Sequence, residues 1–246
     1  MNKISVIIIT KNEARNIRDC LESVKWADEI IVVDSGSEDD TVSIAKSFTD
    51  KVFFNEWKGF AEQKSFAMNL ATNEWILSVD ADERITNELK DEILNSELNG
   101  FDGYKIKREN YFLGKVIRGC GWGNDYQLRL FRKSKTKLTN RLVHEGFEVE
   151  GKIGHLKNSM LHYSYTNFSD AFTKINHYST LEAIEKQNRK KVNAFTIIIT
   201  PLIAFTQHFF LRKGFIDGIH GLFVSIMHAI TKLQVQLKIW ELKNRK

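Results

Sequence analysis

Residues 75–85 read Trp-Ile-Leu-Ser-Val-Asp-Ala-Asp-Glu-Arg-Ile (WILSVDADERI). An apolar run, Trp75 to Val79, stops at two carboxylates, Asp80 and Asp82, with only Ala81 between them. A short apolar run bounded by polar residues suits a strand covered on both faces. The carboxylates at its end either meet water at an ordinary turn or hold something positive. The upstream residues show what sheet this strand enters. Ile4 to Ile9 is a β-branched run, and Ala14, Ile17, Leu21 and Val24 then recur at helical spacing, with Asn12 as the expected N-cap. Glu29 to Val33 is a second strand ending at Asp34, and Ser37 and Asp40 stand at N-cap spacing before the next helix. Val52 to Asn55 reads as a strand and Phe60 to Ala71 as a helix, which makes Trp75 to Val79 the fourth strand. Alternating β and α elements predict an α/β fold with a doubly wound parallel sheet, whose ligands lie at the carboxyl ends of the strands. Thr10, Asp34, Asp80 and Asp82 all fall at such ends.

The chain of 246 residues is long enough for one large α/β domain or a domain with an appendage. Its 42% hydrophobic and 27% charged residues are those of a globular protein, which argues against disorder as a main feature. The net charge of +5 suits an anionic partner such as a membrane surface, a phosphorylated substrate or nucleic acid. Basic residues are dispersed or lie near the C-terminus, without interleaved aromatics in a patch, so nucleic acid is the poorest fit. Two cysteines, Cys20 and Cys120, build neither a disulfide framework nor a four-cysteine zinc site and favour a reducing, cytosolic setting. The apolar run near the N-terminus is too short for a signal-peptide core and reads as the first strand.

After an expected helix at Asn87 to Leu98, shorter strands follow at Tyr104 to Arg108, Leu128 to Arg132 and Gly146 to Val149. The glycine-rich stretch GKVIRGCGWGND lies among them as a loop, and from about residue 168 the chain reads as helical. The division expected is a catalytic domain over 1–167 and a helical region over 168–246.

A hard divalent cation, Mn2+ or Mg2+, is a natural counterpart for the Asp80–Ala81–Asp82 triplet, completing its shell with water and phosphate oxygens. Alone the triplet is a weak signal, because charged turns at strand ends are common. The apolar strand before it, the βαβαβ pattern and the upstream VVDSGSEDDT strengthen it.

In order and spacing, VIIITKNEARNI, IIVVDSGSEDDT and SVDADE resemble the inverting glycosyltransferases of family 2, with their nucleotide-sugar-binding GT-A fold, over roughly residues 3 to 150. GFAEQKSFAMN, DYQLRLFR, LVHEGF and FLRKGFIDGIHGLFVSIMHA resemble in particular the bacterial lipopolysaccharide core glucosyltransferases. The resemblance implies that Thr10 and Glu13 line the nucleotide site, that Asp34 contacts the uracil or ribose, and that Asp80 lies near the ribose and sugar. It makes Asp82 the main metal ligand, with Asp80 as the second candidate. Helix capping is the plain alternative for Asp34. A displacement at the anomeric carbon needs a base on the acceptor side and positive charge on the leaving side. Glu145 is the first candidate base and Asp125, beside the glycine-rich loop, the other; either can equally be a structural or surface carboxylate. Lys64, Arg129 and Arg132 are candidate phosphate contacts. Arg129 inside LRLF needs an anionic partner, either a phosphate or a local carboxylate. His144 is a candidate extra metal ligand or a loop-orienting group, and Glu83 and Arg84 read as a surface pair without a role.

Phe195 to Leu211 is strongly apolar but contains Pro201, Gln207 and His208, so the expectation is an interfacial or broken element, not a clean span. Phe215, Ile219, Leu222, Ile226, Ile230, Leu233, Leu237 and Trp240 keep helical spacing, with Ser225, His228, Lys232, Gln236 and Lys243 off the stripe. A long amphipathic helix ending in KNRK suits an anionic membrane surface, or alternatively a protein interface, including a second copy of the chain. The expected function is metal-assisted transfer of a hexose, with glucose from UDP-glucose the first choice, to a lipopolysaccharide or other lipid-linked acceptor. The expected location is cytoplasmic, peripheral at the inner membrane face. Nucleotidyl transfer is a second reading, weakened because IIITKNEARN lacks a glycine-rich phosphate loop. An inactive nucleotide-sugar-binding scaffold is a third.

Overall fold

The structure is a computed structural model that describes residues 2–95, 98, 100–138 and 146–244. In chain order its elements are β1 (Ile4–Thr10), α1 (Ile17–Val24), β2 (Glu29–Asp34), α2 (Thr41–Lys46), β3 (Val52–Phe54), α3 (Phe60–Leu70), β4 (Trp75–Asp80), β5 (Glu83–Ile85), α4 (Asn87–Asn95) and β6 (Gly103–Phe112). Then come β7 (Lys115–Val116), β8 (Tyr126–Arg132), β9 (Thr136–Leu138), β10 (Phe147–Val149), β11 (Ile153–Tyr165), α5 (Phe168–Lys186), α6 (Ala194–Thr206) and α7 (Ile219–Asn244). The described residues group into two compact units, one within 2–108, 126–138 and 146–162, the other within 109–125 and 163–244. The glycine-rich loop therefore groups with the C-terminal helices, and the units do not follow the division at residue 167.

In the first unit the strand order is β3-β2-β1-β4-β8-β6-β11-β5. β3, β2, β1 and β4 are parallel, as their βα connections require. β8 is antiparallel to β4 and to β6, and β5 is antiparallel to β11. The sheet is thus mixed, where alternation alone predicts a parallel one, because among the described residues no α-helix separates β6, β8 and β11 in the chain. Successive residues of a strand face opposite sides. Val6 and Ile8 of β1 pack with Ile17, Leu21 and Val24 of α1 and Leu89 of α4 on one side. Ile7, Ile31 and Val33 pack with Ala67 and Met68 of α3 on the other, so continuous apolar runs are what this covering demands.

Local details differ from expectation near the site. The N-cap of α1 is Asn16, without a side-chain capping bond. Asn12 instead adopts a left-handed φ of 54°, accepts from the Glu38 amide at 2.8 Å and donates its own amide to Ser37 Oγ at 2.8 Å. It clasps the β2–α2 turn, a task for which a short polar side chain that tolerates this conformation is suited.

In the second unit α5 is capped by Asn167, whose side chain accepts from the Asp170 amide, and α6 by a reciprocal Asn193–Thr196 capping box. α6 passes through Pro201 without a break and continues as a π-helical turn, Gln207–Leu211. Ala194–Leu211 is therefore 18 continuous helical residues of mean hydropathy 1.7, little of it buried, and long and apolar enough to cross a membrane. Pro201 removes one intrahelical hydrogen bond and does not interrupt the element. α7 begins at Ile219, while Phe215 belongs to a short 3-10 turn, Gly214–Asp217.

α7 packs a mixed inner face, with Val224, Met227, Val235 and Ile239 in the second unit's apolar clusters, and leaves a second apolar face outward. Gly221, Val224, Ser225, Met227, Val235, Gln236 and Ile239 point inward. Phe215, Ile219, Ile226, Leu237 and Trp240 of the apolar stripe are exposed, while Ser225 and Gln236, which lie off it, are buried.

Candidate functional site

The register of the parallel strands gathers the first unit's polar ends. Thr10 of β1 stands opposite Asp34 of β2, and Asp80 of β4 opposite Ile9. Asp34 Oδ2 accepts from the Gly36 and Ser37 amides at 2.8 and 2.9 Å, and Oδ1 from Ser37 Oγ at 2.5 Å. This carboxylate shapes the turn after β2, and the N-cap of α2 is Asp40 instead. The hydroxyls of Thr10 and of its neighbour Ser35 are both buried and without a partner among the described residues. Leaving such groups unpaired costs about 1–3 kcal/mol each, so two of them beside Asp34 mark a place where a polar ligand is expected. Ser35 was not singled out from sequence. Glu13 lies in the turn after β1, its Oε2 accepting from Asn16 Nδ2 and its amide donating to Thr41 Oγ1, each at 2.8 Å.

Beyond β4 the charges are tied together. Arg129 Nη2 on β8 donates to both Asp80 Oδ2 and Glu83 Oε1. Lys64 Nζ on α3 lies 3.2 Å from Asp80 Oδ1, and Arg108 Nη1 lies 3.3 Å from Glu83 Oε1. Burial opposes ionisation of Asp80, yet the Arg129 and Lys64 charges outweigh it and hold its carboxyl far below the usual carboxylate range. For Arg129, burial pulls the guanidinium down while Asp80 and Glu83 raise it above its ordinary value. Glu83 is fully buried and accepts from the Asp80 amide at 2.9 Å, so it is a structural hub and not half of a surface pair. Arg84 is buried too, bonding the carbonyls of Ala81 and Glu83 at 3.0 and 2.9 Å. Arg132, the third candidate phosphate contact, stacks over the Trp75 ring and faces Asp102 at 3.8 Å.

Residues 5–148 match the family described as Glycosyl transferase family 2. The chain belongs to glycosyltransferase family 2. It is 34% identical over 98% of its length to an uncharacterized glycosyltransferase of Rickettsia felis, covering 90% of that protein. It is 30% identical over 97% of its length to the lipopolysaccharide core biosynthesis glycosyltransferase LpsC of Rhizobium meliloti, covering 92% of it. Among solved structures, S. aureus TarS 1-349 in complex with UDP is similar at a TM-score of 0.47 and 16% identity, over 98% of this chain and 91% of that one.

In this family 2 enzyme the two carboxylates of the Asp-Ala-Asp triplet meet different surroundings. Asp80 is neutralised by two cations, whereas Asp82 Oδ2 lies 3.6 Å from His162 Nε2 on β11, whose register sets His162 opposite Glu83. Among the described residues no three His, Cys, Asp or Glu side chains converge as a ready-made metal cage. Asp82 and His162 together offer a carboxylate oxygen and an imidazole nitrogen. That donor pair fits a cation completed by phosphate oxygens and water, and does not fit one held by protein alone. Local spacing does not reveal this pair, because His162 comes from β11 and Asp82 from the turn between β4 and β5.

Of the two candidate bases, Asp125 belongs to the second unit, where its Oδ2 accepts from Asn110 Nδ2 at 3.0 Å. Glu145 and the neighbouring His144 lie outside the described residues.

Proposed function

We propose that this glycosyltransferase moves a hexose, glucose in the first instance, from a UDP-sugar to a lipopolysaccharide core or other lipid-linked glycan, with inversion at the anomeric carbon. The observation that carries the donor side is the pair of buried, unpartnered hydroxyls, Thr10 and Ser35, beside Asp34. They suit the uracil and ribose, and Asp34 Oδ1, with one partner, keeps capacity to accept from a base N–H or ribose hydroxyl. Lys64 and Arg129, now paired with Asp80, supply positive charge on the leaving side. Bound at Asp82 and His162, a divalent cation would neutralise the diphosphate as it departs. The acceptor hydroxyl oxygen bonds to the anomeric carbon as the carbon–phosphate-oxygen bond breaks. Its proton passes to Asp125 or Glu145.

The resemblance to core glucosyltransferases and the relation to LpsC support a glycolipid acceptor. The outward apolar residues of α6 and α7, with Arg212 and Lys213 exposed at the corner between them, support a place at the anionic cytoplasmic membrane face. The deciding assay incubates the full chain and Mn2+ with UDP-sugars and vesicles carrying a lipopolysaccharide core acceptor, and reads the product by NMR. The α-linked donor should give a β-linked product; an α-linked product would refute inversion, and transfer from no nucleotide-sugar would refute the donor reading.

A further inference from the structure

The loop from Lys115 to Asp125 is fastened at two places within the second unit. Asn110 of β6 holds its ends: the Asn110 carbonyl accepts from the Ile117 amide at 2.9 Å, and its Nδ2 donates to the Trp122 carbonyl at 3.3 Å and to Asp125 Oδ2 at 3.0 Å. The middle is held from the far end of the chain. Asp217, 3% exposed, accepts from the Gly119 amide at 2.6 Å and from the Arg118 amide at 3.1 Å, and its own carbonyl accepts from Lys115 Nζ at 2.9 Å.

This clasp is close enough to dictate residue type. A Cβ at Gly119 would stand 2.4 Å from the Lys213 carbonyl oxygen, and one at Gly221 would stand 1.8 Å from the Gly214 carbonyl oxygen. Only glycine allows these backbones to meet. His208 Nδ1 adds a bond to the Cys120 carbonyl at 2.8 Å. Asp217 is thus a buried carboxylate spent on consecutive backbone amides, which is the arrangement of an anion in a nest and fixes the loop's path. The same short turn exposes Phe215 and Ile216.

We propose that Asp217 is a positioning residue for the acceptor: through the Arg118–Gly119 backbone it sets where the middle of the 117–125 loop meets the incoming glycan, so the C-terminal helices build the acceptor site as well as touching the membrane. This rests on the reading above in which Asp125, at the end of this loop, is a candidate base on the acceptor side. Removing the carboxylate frees the middle of the loop, while Asn110 still tethers Asp125.

The test uses full-length Asp217→Ala, Asp217→Asn and Lys115→Met, with UDP affinity by calorimetry and steady-state transfer to the vesicle-borne acceptor. A displaced acceptor loop should raise the acceptor KM of Asp217→Ala at least ~10-fold and leave UDP affinity within about 2-fold of the parent. Asp217→Asn, which keeps one acceptor oxygen, should fall between the two. Lys115→Met removes a surface side chain, folds whatever becomes of Asp217→Ala, and should raise acceptor KM about 3-fold through the same clasp. A parental acceptor KM in Lys115→Met together with any folded Asp217 variant would overturn the proposal, as would UDP affinity falling in step with acceptor KM. If the parent protein binds UDP but transfers sugar to no lipid-linked acceptor, the reading beneath the proposal fails instead, and the proposal with it.

Discussion

Asp80 and Asp82 are two positions apart and serve different chemistry. Asp80 is locked between Arg129 and Lys64, and Asp82 faces His162. Glu83, whose burial no pattern in DADERI announces, completes the knot by accepting from Arg129 and Arg108. Removing one partner from a buried ion pair strands the other's charge. Glu83→Gln should therefore cost about 3 kcal/mol in urea unfolding, whereas Glu13→Gln, at a half-exposed turn, should cost under about 1 kcal/mol. Equal losses would contradict the hub role of Glu83. The strand-end positions of Thr10, Asp34, Asp80 and Asp82 were legible because apolar runs stop where the chain leaves the sheet. Ser35, Glu83 and His162 were not, because their importance lies in neighbours from other strands.

At the scale of elements, β11 shows why one of these was missed. Gly154, Leu156, Met160 and Ser164 are buried in alternate phase, but Asn158 and His162 occupy the same phase and blur the period-two signal. His162 reaches the site because it sits in that inward-facing phase. α7 shows a different limit: periodicity revealed an apolar stripe but not which medium it faces. Phe215, Ile219, Ile226, Leu237 and Trp240 of the stripe face out, while the inner face mixes Ser225 and Gln236 with Val224, Met227, Val235 and Ile239. If the exposed corner meets lipid, Leu211→Ser with Ile216→Ser should weaken flotation with anionic vesicles at least ~10-fold, since burying each such side chain contributes about 1.5–3 kcal/mol. Unchanged flotation would remove the corner from the membrane contact.

The His208–His228 pair of this unit has a pH consequence. The His208 and His228 rings stack with centroids 3.6 Å apart, and His228 Nε2 accepts from Trp122 Nε1 at 3.3 Å, which requires a neutral ring. Burial, with smaller effects from His208, Lys232 and Arg212, lowers the His228 pKa to about 3. Below the ordinary histidine pKa the unfolded chain takes up a proton that the folded one refuses. Stability therefore falls as pH drops from about 6.5 towards 3, by up to about 1.4 kcal/mol per pH unit from this group. Thermal melts between pH 7 and 5 should show a smaller loss in His228→Gln than in the parent; parallel losses would show that His228 carries none of it.

For the whole molecule, the βα alternation over the first eighty residues made the parallel half of the sheet legible. The antiparallel half was less so, because its strands are more polar and, among the described residues, no α-helix joins β6, β8 and β11. The grouping of the glycine-rich loop with the C-terminal helices depends on contacts such as Gly119 with Asp217, ninety-eight positions apart in the chain, and no local pattern encodes them. The central claim is that the crevice beside Asp34 binds a uridine diphosphate sugar with a cation held through Asp82. The most direct test is calorimetric titration of UDP into the full chain with Mn2+ and with EDTA, repeated for Asp82→Asn. Mn2+ should tighten UDP at least ~10-fold in the parent, about 1.4 kcal/mol, and leave Asp82→Asn nearly unchanged. The same UDP affinity with Mn2+ and EDTA in the parent, or no UDP binding at all, would contradict it.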